Sequence, residues 1–344
     1  MQLSDFSYHL PKDRIAQKPM RPRDHSRLLV LNRQKTQLAH RHFYNIVDYL
    51  QKGDVLVFNN SKVFPARLPG KKISGGNMEV FLLRSISPDT WECLLRGKGA
   101  KPGLEMNIVG VKAAQDGHLP FRGVVKKSSG NGIWWIQFNF RGKKLQNAIE
   151  QYGEAPTPPY VKRLSNLKEY QTVFAQKTGS VAAPTAGFHF TKSIMQSLGR
   201  KGVQIEYVTL HVGYGTFAPI KVNDVRWHRI HGEWIEVDKA THSRLVQAKK
   251  QGRRIIAVGT TSVRTLESLP KKPQYTHKEV YTYIYPGYHF KMVDAMITNF
   301  HVPGSSLLVL VSAFAGRENI LKAYQIAVKK KYRFYSFGDA MLIL

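Results

Sequence analysis

Three histidines stand at the ends of short loops rich in small and polar residues. His189 lies in Ala182–Phe190, His211 opens His211–Phe217, and His301 lies in Thr298–Ser306. Imidazole titrates near neutrality, so such a group can take a proton in one step and return it in another. Gly187 and Gly213 in the first two loops allow close backbone approach to a ligand, and Thr216 and Asn299 offer polar contacts. The pair Gly213 and Gly215 is no dinucleotide fingerprint, because no third glycine follows at the required spacing and no helix clearly begins there. A fourth loop, Gly259-Thr260-Thr261-Ser262-Val263-Arg264, follows an apolar run and opens a helix. Exposed N–H groups, three hydroxyls and an arginine one turn in suit an anion, although ordinary N-capping by Thr260 or Thr261 accounts for the same residues. His228, His231 and Glu233 could hold zinc or iron, but they sit on no clear helix. An acid–base role for His231 and Glu233 is the more natural reading, and no metal is expected.

These loops need a scaffold that brings them together. Apolar runs at Arg27–Leu31 and Asp54–Phe58 read as buried strands, with a helical stretch near Phe43–Leu50 between them. From about 65 to 155, short alternating runs sit between Gly- and Lys-rich turns, which predicts a small inserted β-sandwich or barrel. Beyond Pro156 the pattern becomes α/β. Strands are predicted at Val203–His211, Trp234–Val237, Arg254–Val258 and Val293–Thr298. Helices are predicted from Thr191 to Gly202, up to Gln251, at Ser262–Leu269 and at Ser306–Ala315. Alternating strands and helices imply a mixed, mostly parallel sheet. Residues 1–64 and 156–344 would form this α/β domain around the insert. Ligands bind where loops leave the carboxyl ends of such strands, and the histidine loops fall there.

The charge balance adds a partner class. Lys and Arg number 52 against 23 Asp and Glu, a formal net charge of +29 in 344 residues. Such a surface attracts polyanions, so nucleic acid is the leading partner. The run Lys329-Lys330-Lys331-Tyr332-Arg333-Phe334 mixes cations with aromatics, which suits phosphates and exposed bases; a solvated helix end explains it equally well. The single cysteine, Cys93, forms no internal disulfide and no thiolate zinc site. No secretion signal is visible, and the apolar stretch near Ser306–Phe314 is far short of the roughly 20 residues of a spanning helix. A cytoplasmic protein with no membrane role is expected.

Taken together, the motifs resemble one family, the S-adenosylmethionine:tRNA ribosyltransferase-isomerases of queuosine synthesis. The resemblance rests on Tyr8-His9-Leu10-Pro11, Arg23-Asp24, Ser26–Val30, Asp54–Asn59, Pro158-Pro159-Tyr160, Tyr170–Val173, Ala182–Phe190, Val208–Gly213, Gly259–Arg264, Tyr285–Tyr288, Thr298–His301 and Tyr332–Ala340. The chain departs from the family pattern at Asn60-Ser61-Lys62, where Asp-Thr-Arg is usual, and at Thr157, Phe188 and Gly232, where leucine, leucine and serine are usual. The resemblance implies an α/β domain with an inserted β-barrel. It also implies transfer and isomerisation of the ribosyl part of S-adenosylmethionine onto a 7-aminomethyl-7-deazaguanine at the tRNA wobble position, with loss of adenine and methionine. On that reading His189, His211 and His301 move protons, with His231 and Glu233 in reserve, and the Thr260–Arg264 loop holds the donor's carboxylate. Lys62, Arg67, Lys162, Arg163, Lys329, Lys330, Lys331 and Arg333 face the tRNA. No cofactor is implied beyond the consumed S-adenosylmethionine, and a monomer is expected. An RNA methyltransferase and a non-catalytic RNA-binding protein are the rival readings; adenine release separates the first, and binding without turnover marks the second.

Overall fold

The run Val55–Asn59 reads VLVFN, and all five residues are buried. A strand with apolar side chains on both faces must be covered on both, which is the signature of a parallel sheet packed between helices. The computed structural model describes residues 1–109, 121–130, 132–156, 167–213, 215 and 219–344. It divides into two compact units, one built on Met1–Lys62 and Glu169–Leu344, the other on Val63–Pro158.

In chain order the strands are β1 (Arg27–Asn32), β2 (Gln37–His42), β3 (Val55–Asn59), β4 (Ser61–Val63), β5 (Arg67–Lys72), β6 (Asn77–Ser87), β7 (Thr90–Arg96), β8 (Glu105–Ile108), β9 (Arg122–Gly130), β10 (Ile133–Phe138), β11 (Lys177–Ser180), β12 (Gln204–His211), β13 (Glu233–Val237), β14 (Ile255–Val258), β15 (Thr276–Val280), β16 (Ala295–Asn299) and β17 (Ala340–Ile343). The helices are α1 (Ile46–Tyr49), α2 (Gly142–Tyr152), α3 (Lys192–Arg200), α4 (Lys239–Lys250), α5 (Thr260–Glu267), α6 (Ser306–Ala315) and α7 (Arg317–Lys329).

The first unit carries a nine-stranded mixed sheet in the order β15-β13-β12-β3-β14-β16-β17-β1-β2. Strands β12, β3, β14 and β16 run parallel, β17 runs against β16, and β1 runs with β17. Alternation along each strand sorts the side chains into two cores. Leu29, Leu31, Val55, Val57, Ile255, Ala257, Met296 and Met341 pack on one face with side chains of α4, α5, α6 and α7. Leu28, Val30, Leu56, Phe58, Ile256, Val258, Ile297 and Leu342 pack on the other with Ile46, Ile194 and Leu198. Thr191 caps α3 through its hydroxyl, and Asp238 and Ser305 cap α4 and α6 in the same way.

The directions of the strands decide where the polar loops go. The carboxyl ends of β3, β12, β14 and β16 meet at one edge of the sheet. The amino ends of β17, β1 and β13 lie at that same edge, because β17 and β13 run against their parallel neighbours. The sequence pattern left residues 317–344 unassigned, and there the structure has α7 and β17. Strand β17 is a central strand, inserted between β16 and β1.

The second unit is a closed six-stranded antiparallel barrel in the order β10-β7-β6-β5-β8-β9. Leu68, Val80, Leu82, Cys93, Met106, Val125, Ile136 and Phe138 are buried there. Helix α2 is amphipathic and buries Leu145, Ala148, Ile149 and Tyr152, with the Tyr152 ring edge-on to Phe121. Closure removes the exposed strand edges that an open sheet of this size would carry.

One side chain extends the ladder between β3 and β12 past its last backbone pair. The Asn59 carbonyl oxygen accepts from the Leu210 N–H at 3.1 Å and the Ser61 N–H at 3.0 Å, and its amide donates to the Leu210 carbonyl at 2.9 Å. Asn59→Ala would leave these buried groups unpaired, with an expected loss on the order of 3 kcal/mol in denaturant unfolding. Lys62→Ala, on an exposed residue nearby, is expected to change stability by less than about 0.5 kcal/mol.

Candidate active site at the carboxyl edge of the sheet

The loop Thr185–His189 is a turn of 3-10 helix that delivers His189 to this edge, where its ring is buried. His189 Nδ1 lies 2.7 Å from the Ser26 hydroxyl, and Nε2 lies 3.2 Å from Asn299 Oδ1. The Asn299 amide nitrogen donates to the carbonyls of Tyr335 at 2.9 Å and Ser336 at 3.2 Å. Asn299 Oδ1 must therefore accept, which places the proton of His189 on Nε2 and leaves Nδ1 to accept from Ser26. Burial pushes the His189 pKa down to about 4 despite its hydrogen bond to Asn299. The neutral ring ties together the segments before β1, before α3, after β16 and before β17. Both ring nitrogens are occupied, so His189 and Asn299 hold this edge in position.

His301 is also engaged. Its Nε2 lies 2.9 Å from the Thr298 hydroxyl, its backbone carbonyl accepts from the Tyr8 hydroxyl, and its N–H donates to the Tyr324 hydroxyl at 3.1 Å. Burial lowers its pKa to about 3. His211 differs from both. It is the last residue of β12, opposite Trp234 of β13, and its ring covers the Cα of Gly179, where a Cβ would come within 2.7 Å. Its Nδ1 is buried and has no hydrogen-bond partner. Burial lowers its pKa, partly offset by Glu236, so the ring is neutral at neutral pH. His211 thus keeps a buried ring nitrogen with no partner.

The anion site proposed on α5 takes a different form. Gly259 ends β14 with φ +89°, a backbone that favours glycine, and the Thr260–Glu267 helix starts there. Ser262 donates back to the Val258 carbonyl at 2.8 Å, and Thr261 Oγ1 is buried without a partner. Arg264 is buried, its Nη1 paired with the Glu233 carboxylate and its Nε donating to the Thr282 carbonyl at 3.0 Å. Glu233 neutralises Arg264, so Arg264 is no free cation for a carboxylate and Glu233 is no free acid or base. The pair instead joins α5 to the start of β13. Arg264 Nη2 remains unpartnered, as do the buried polar atoms Ser61 Oγ, Trp234 Nε1 and Tyr283 Oη. Interiors leave few such atoms.

The remaining candidates separate by environment. Gly187 is a packing glycine, since a Cβ there would meet Phe174 at 2.6 Å; Gly213 faces open space. Gly215 carries the exposed His231 ring against it, where a Cβ would come within 2.3 Å. Lys62, Lys329, Lys330 and Lys331 are exposed. Tyr332 and Phe334 are fully buried, so they belong to the core and stack no base. Arg333 is tucked beside Asp339 at 3.6 Å, and in the barrel unit Arg67 pairs with Glu79, so neither guanidinium is a free surface charge. Thr157, Lys162, Arg163 and Thr216 lie outside the described residues. Among the described residues no three His, Cys, Asp or Glu side chains gather as metal ligands. No helix there is long and apolar enough to cross a membrane. Asn60, flagged as a departure, accepts from the Thr209 hydroxyl at 2.7 Å. Sequence reading did not give Ser26 or Trp234 a role, though each stands directly at a strand start on the same edge.

Two predictions follow from these contacts. The His189 pKa is depressed in the fold to about 4 from an ordinary 6.5. Its stabilising contribution is complete above the unfolded value and is lost as pH falls from about 6.5 towards 4, on the order of 3 kcal/mol in all. A melting-temperature series is expected to drop across that window, and His189→Gln is expected to flatten the drop. For the Arg264–Glu233 pair, removing one partner strands a buried charge. Glu233→Gln is expected to cost about 3–5 kcal/mol, and a double variant with Arg264→Met to recover part of it, as read by a double-mutant cycle.

Comparison with known proteins places this site in a family. The family model for queuosine biosynthesis proteins matches residues 3–343. Two relatives named S-adenosylmethionine:tRNA ribosyltransferase-isomerase, from Aquifex aeolicus and Thermosipho melanesiensis, are 47% and 49% identical, with the whole of each chain covered. A solved structure, the S-adenosylmethionine tRNA ribosyltransferase of Thermotoga maritima, is 37% identical over 99% of this chain and all of that one, with a TM-score of 0.57. A match spanning both units and every loop at the carboxyl edge leaves one conclusion: the chain belongs to the queuosine biosynthesis protein family.

Proposed function

We propose that this chain is an S-adenosylmethionine:tRNA ribosyltransferase-isomerase. It transfers and isomerises the ribosyl part of S-adenosylmethionine onto 7-aminomethyl-7-deazaguanine at the wobble position of tRNA. Epoxyqueuosine-tRNA forms, and adenine and methionine leave. The observation that carries this reading is full-length identity of 47–49% with relatives bearing that name.

The chemistry asks for modest equipment. The donor's sulfonium acidifies the neighbouring C5′ hydrogens, a base removes one, and the departing adenine takes up a proton. The acceptor's aminomethyl group must lose a proton before it attacks. Each transfer wants a group that can exchange protons near the working pH. His211 is the proposed base, because its ring is neutral and its Nδ1 unpartnered at the edge. His231, exposed beside Gly215, is the second candidate. His189 and Asn299 hold the edge in register and do not transfer protons. Thr261 and the free Nη2 of Arg264 are proposed donors to the substrate. Exposed Lys62, Lys329, Lys330 and Lys331 attract the phosphate backbone. S-adenosylmethionine is spent as substrate, and no metal or redox cofactor is proposed. The enzyme is proposed to work as a cytoplasmic monomer.

The test is incubation with precursor-modified tRNA and labelled S-adenosylmethionine. Adenine release and epoxyqueuosine in the digested tRNA are expected; S-adenosylhomocysteine in their place would mean a methyltransferase, and binding without turnover a non-catalytic protein. His211→Ala is expected to lower kcat by about 10²–10⁴-fold with an unchanged melting temperature and tRNA affinity. Full turnover in that variant would remove His211 from the proton-transfer scheme.

A further inference from the structure

The described surface of the α/β unit carries one exposed indole. Trp227 is 76% exposed, at the end of the turn Val225–Trp227. Trp91, Trp134, Trp135 and Trp234 are only partly exposed. An indole held in water costs hydrophobic free energy, and such side chains recur where a flat apolar partner is received. The turn does not bend freely. Asp224 accepts from the Arg226 backbone and guanidinium and also pairs with the chain's amino terminus. One residue on, the His228 ring sits edge-on to Tyr283 at 5.2 Å. Two residues before Tyr283, Tyr281 is 63% exposed. Two neighbouring segments therefore each present an exposed aromatic face from a fixed backbone.

The surroundings are basic. Lys221, Arg229 and Lys278 are exposed, and Arg229 has no carboxylate partner among the described residues. The nearest acids are largely occupied, Asp224 by Arg226 and the amino terminus, Glu236 by Lys177. Glu279 is exposed and lies against Gly232. The segment also leads to the candidate site. His231 packs on Gly215 of the loop after β12, and Glu233 begins β13 at the carboxyl edge.

We propose that Trp227 is a stacking platform for an unpaired base of the tRNA anticodon loop. The inference rests on the proposed function, which requires the wobble base to be drawn to the strand ends. A base drawn out of the loop leaves its neighbour without a stacking partner. An exposed indole among cations supplies that partner, since every base has a flat face and the adjoining phosphates meet the lysines and arginine. Protein–protein docking is less well matched, because exposed Lys221, Arg226 and Arg229 lie close to the indole along the chain.

The test uses the full chain and a synthetic anticodon stem-loop carrying the precursor base. Trp227→Ala is expected to raise KM for the stem-loop about tenfold or more, the loss expected for one stacked base, and to leave KM for S-adenosylmethionine within twofold. Trp227→Phe is expected to recover most of it, because a smaller ring still stacks. Stem-loop binding is expected to quench the tryptophan fluorescence of the wild type and much less that of Trp227→Phe. An unchanged KM for the stem-loop in a folded Trp227→Ala variant overturns the proposal. So does a wild-type dimer that Trp227→Ala converts to a monomer with no change in that KM, because the face would then join two copies. Absence of adenine release by the wild type is a separate failure, and it sinks the proposed function itself.

Discussion

The hydrogen-bonded group of Ser26, His189 and Asn299 is the interaction on which the candidate site depends. Four segments far apart in sequence reach the carboxyl edge, and this buried group fixes their relative positions. Its strength comes from full satisfaction: each ring nitrogen has one partner, and the asparagine amide spends its protons on the carbonyls of Tyr335 and Ser336. In a low-dielectric interior a satisfied network is rigid and a half-satisfied one is costly. The same burial that lowers the His189 pKa keeps the ring neutral, so the latch holds at neutral pH.

Around that latch, charge is spent inwardly before it is offered outwardly. Asp54, which is buried, holds Arg254 through paired contacts at the opposite ends of β3 and β14. Glu233 holds Arg264, and Asp339 accepts from the backbone of Arg27 and Arg333. These pairs anchor strands and loops, and they remove several arginines from the pool that could meet a polyanion. The cations that remain are mainly exposed lysines, whose long-range attraction steers a polynucleotide but discriminates little between partners.

The histidines show how one residue type takes different roles by position. His189, His211 and His301 all end loops at the same edge, and burial lowers the pKa of all three. The difference lies in what surrounds each nitrogen. Both His189 nitrogens are engaged by side chains from other segments and His301 Nε2 by nearby Thr298, whereas His211 Nδ1 is buried against glycine with no partner. A proton-exchanging group needs spare hydrogen-bonding capacity, and the buried Nδ1 of His211 retains it.

Most strands and helices were legible in the sequence, because the information for them is local. Apolar runs such as VLVFN dictate doubly covered strands, and Gly and hydroxyl residues mark where those strands end. The strand-end rule pointed to the carboxyl edge, and the motif blocks led to the family. The boundaries read for the inserted barrel, 65–155, lie close to the unit that begins at Val63 and runs to Pro158. Strand β17 escaped notice because a four-residue apolar run at the chain end is ambiguous without its neighbours β16 and β1. Residue roles were decided only by tertiary structure. Whether Arg264 is a free cation, whether Tyr332 and Phe334 can stack, and whether His189 can exchange a proton all depend on partners that stand tens to hundreds of residues away. Pairing and burial are properties of the folded neighbourhood, and no spacing within the chain encodes them.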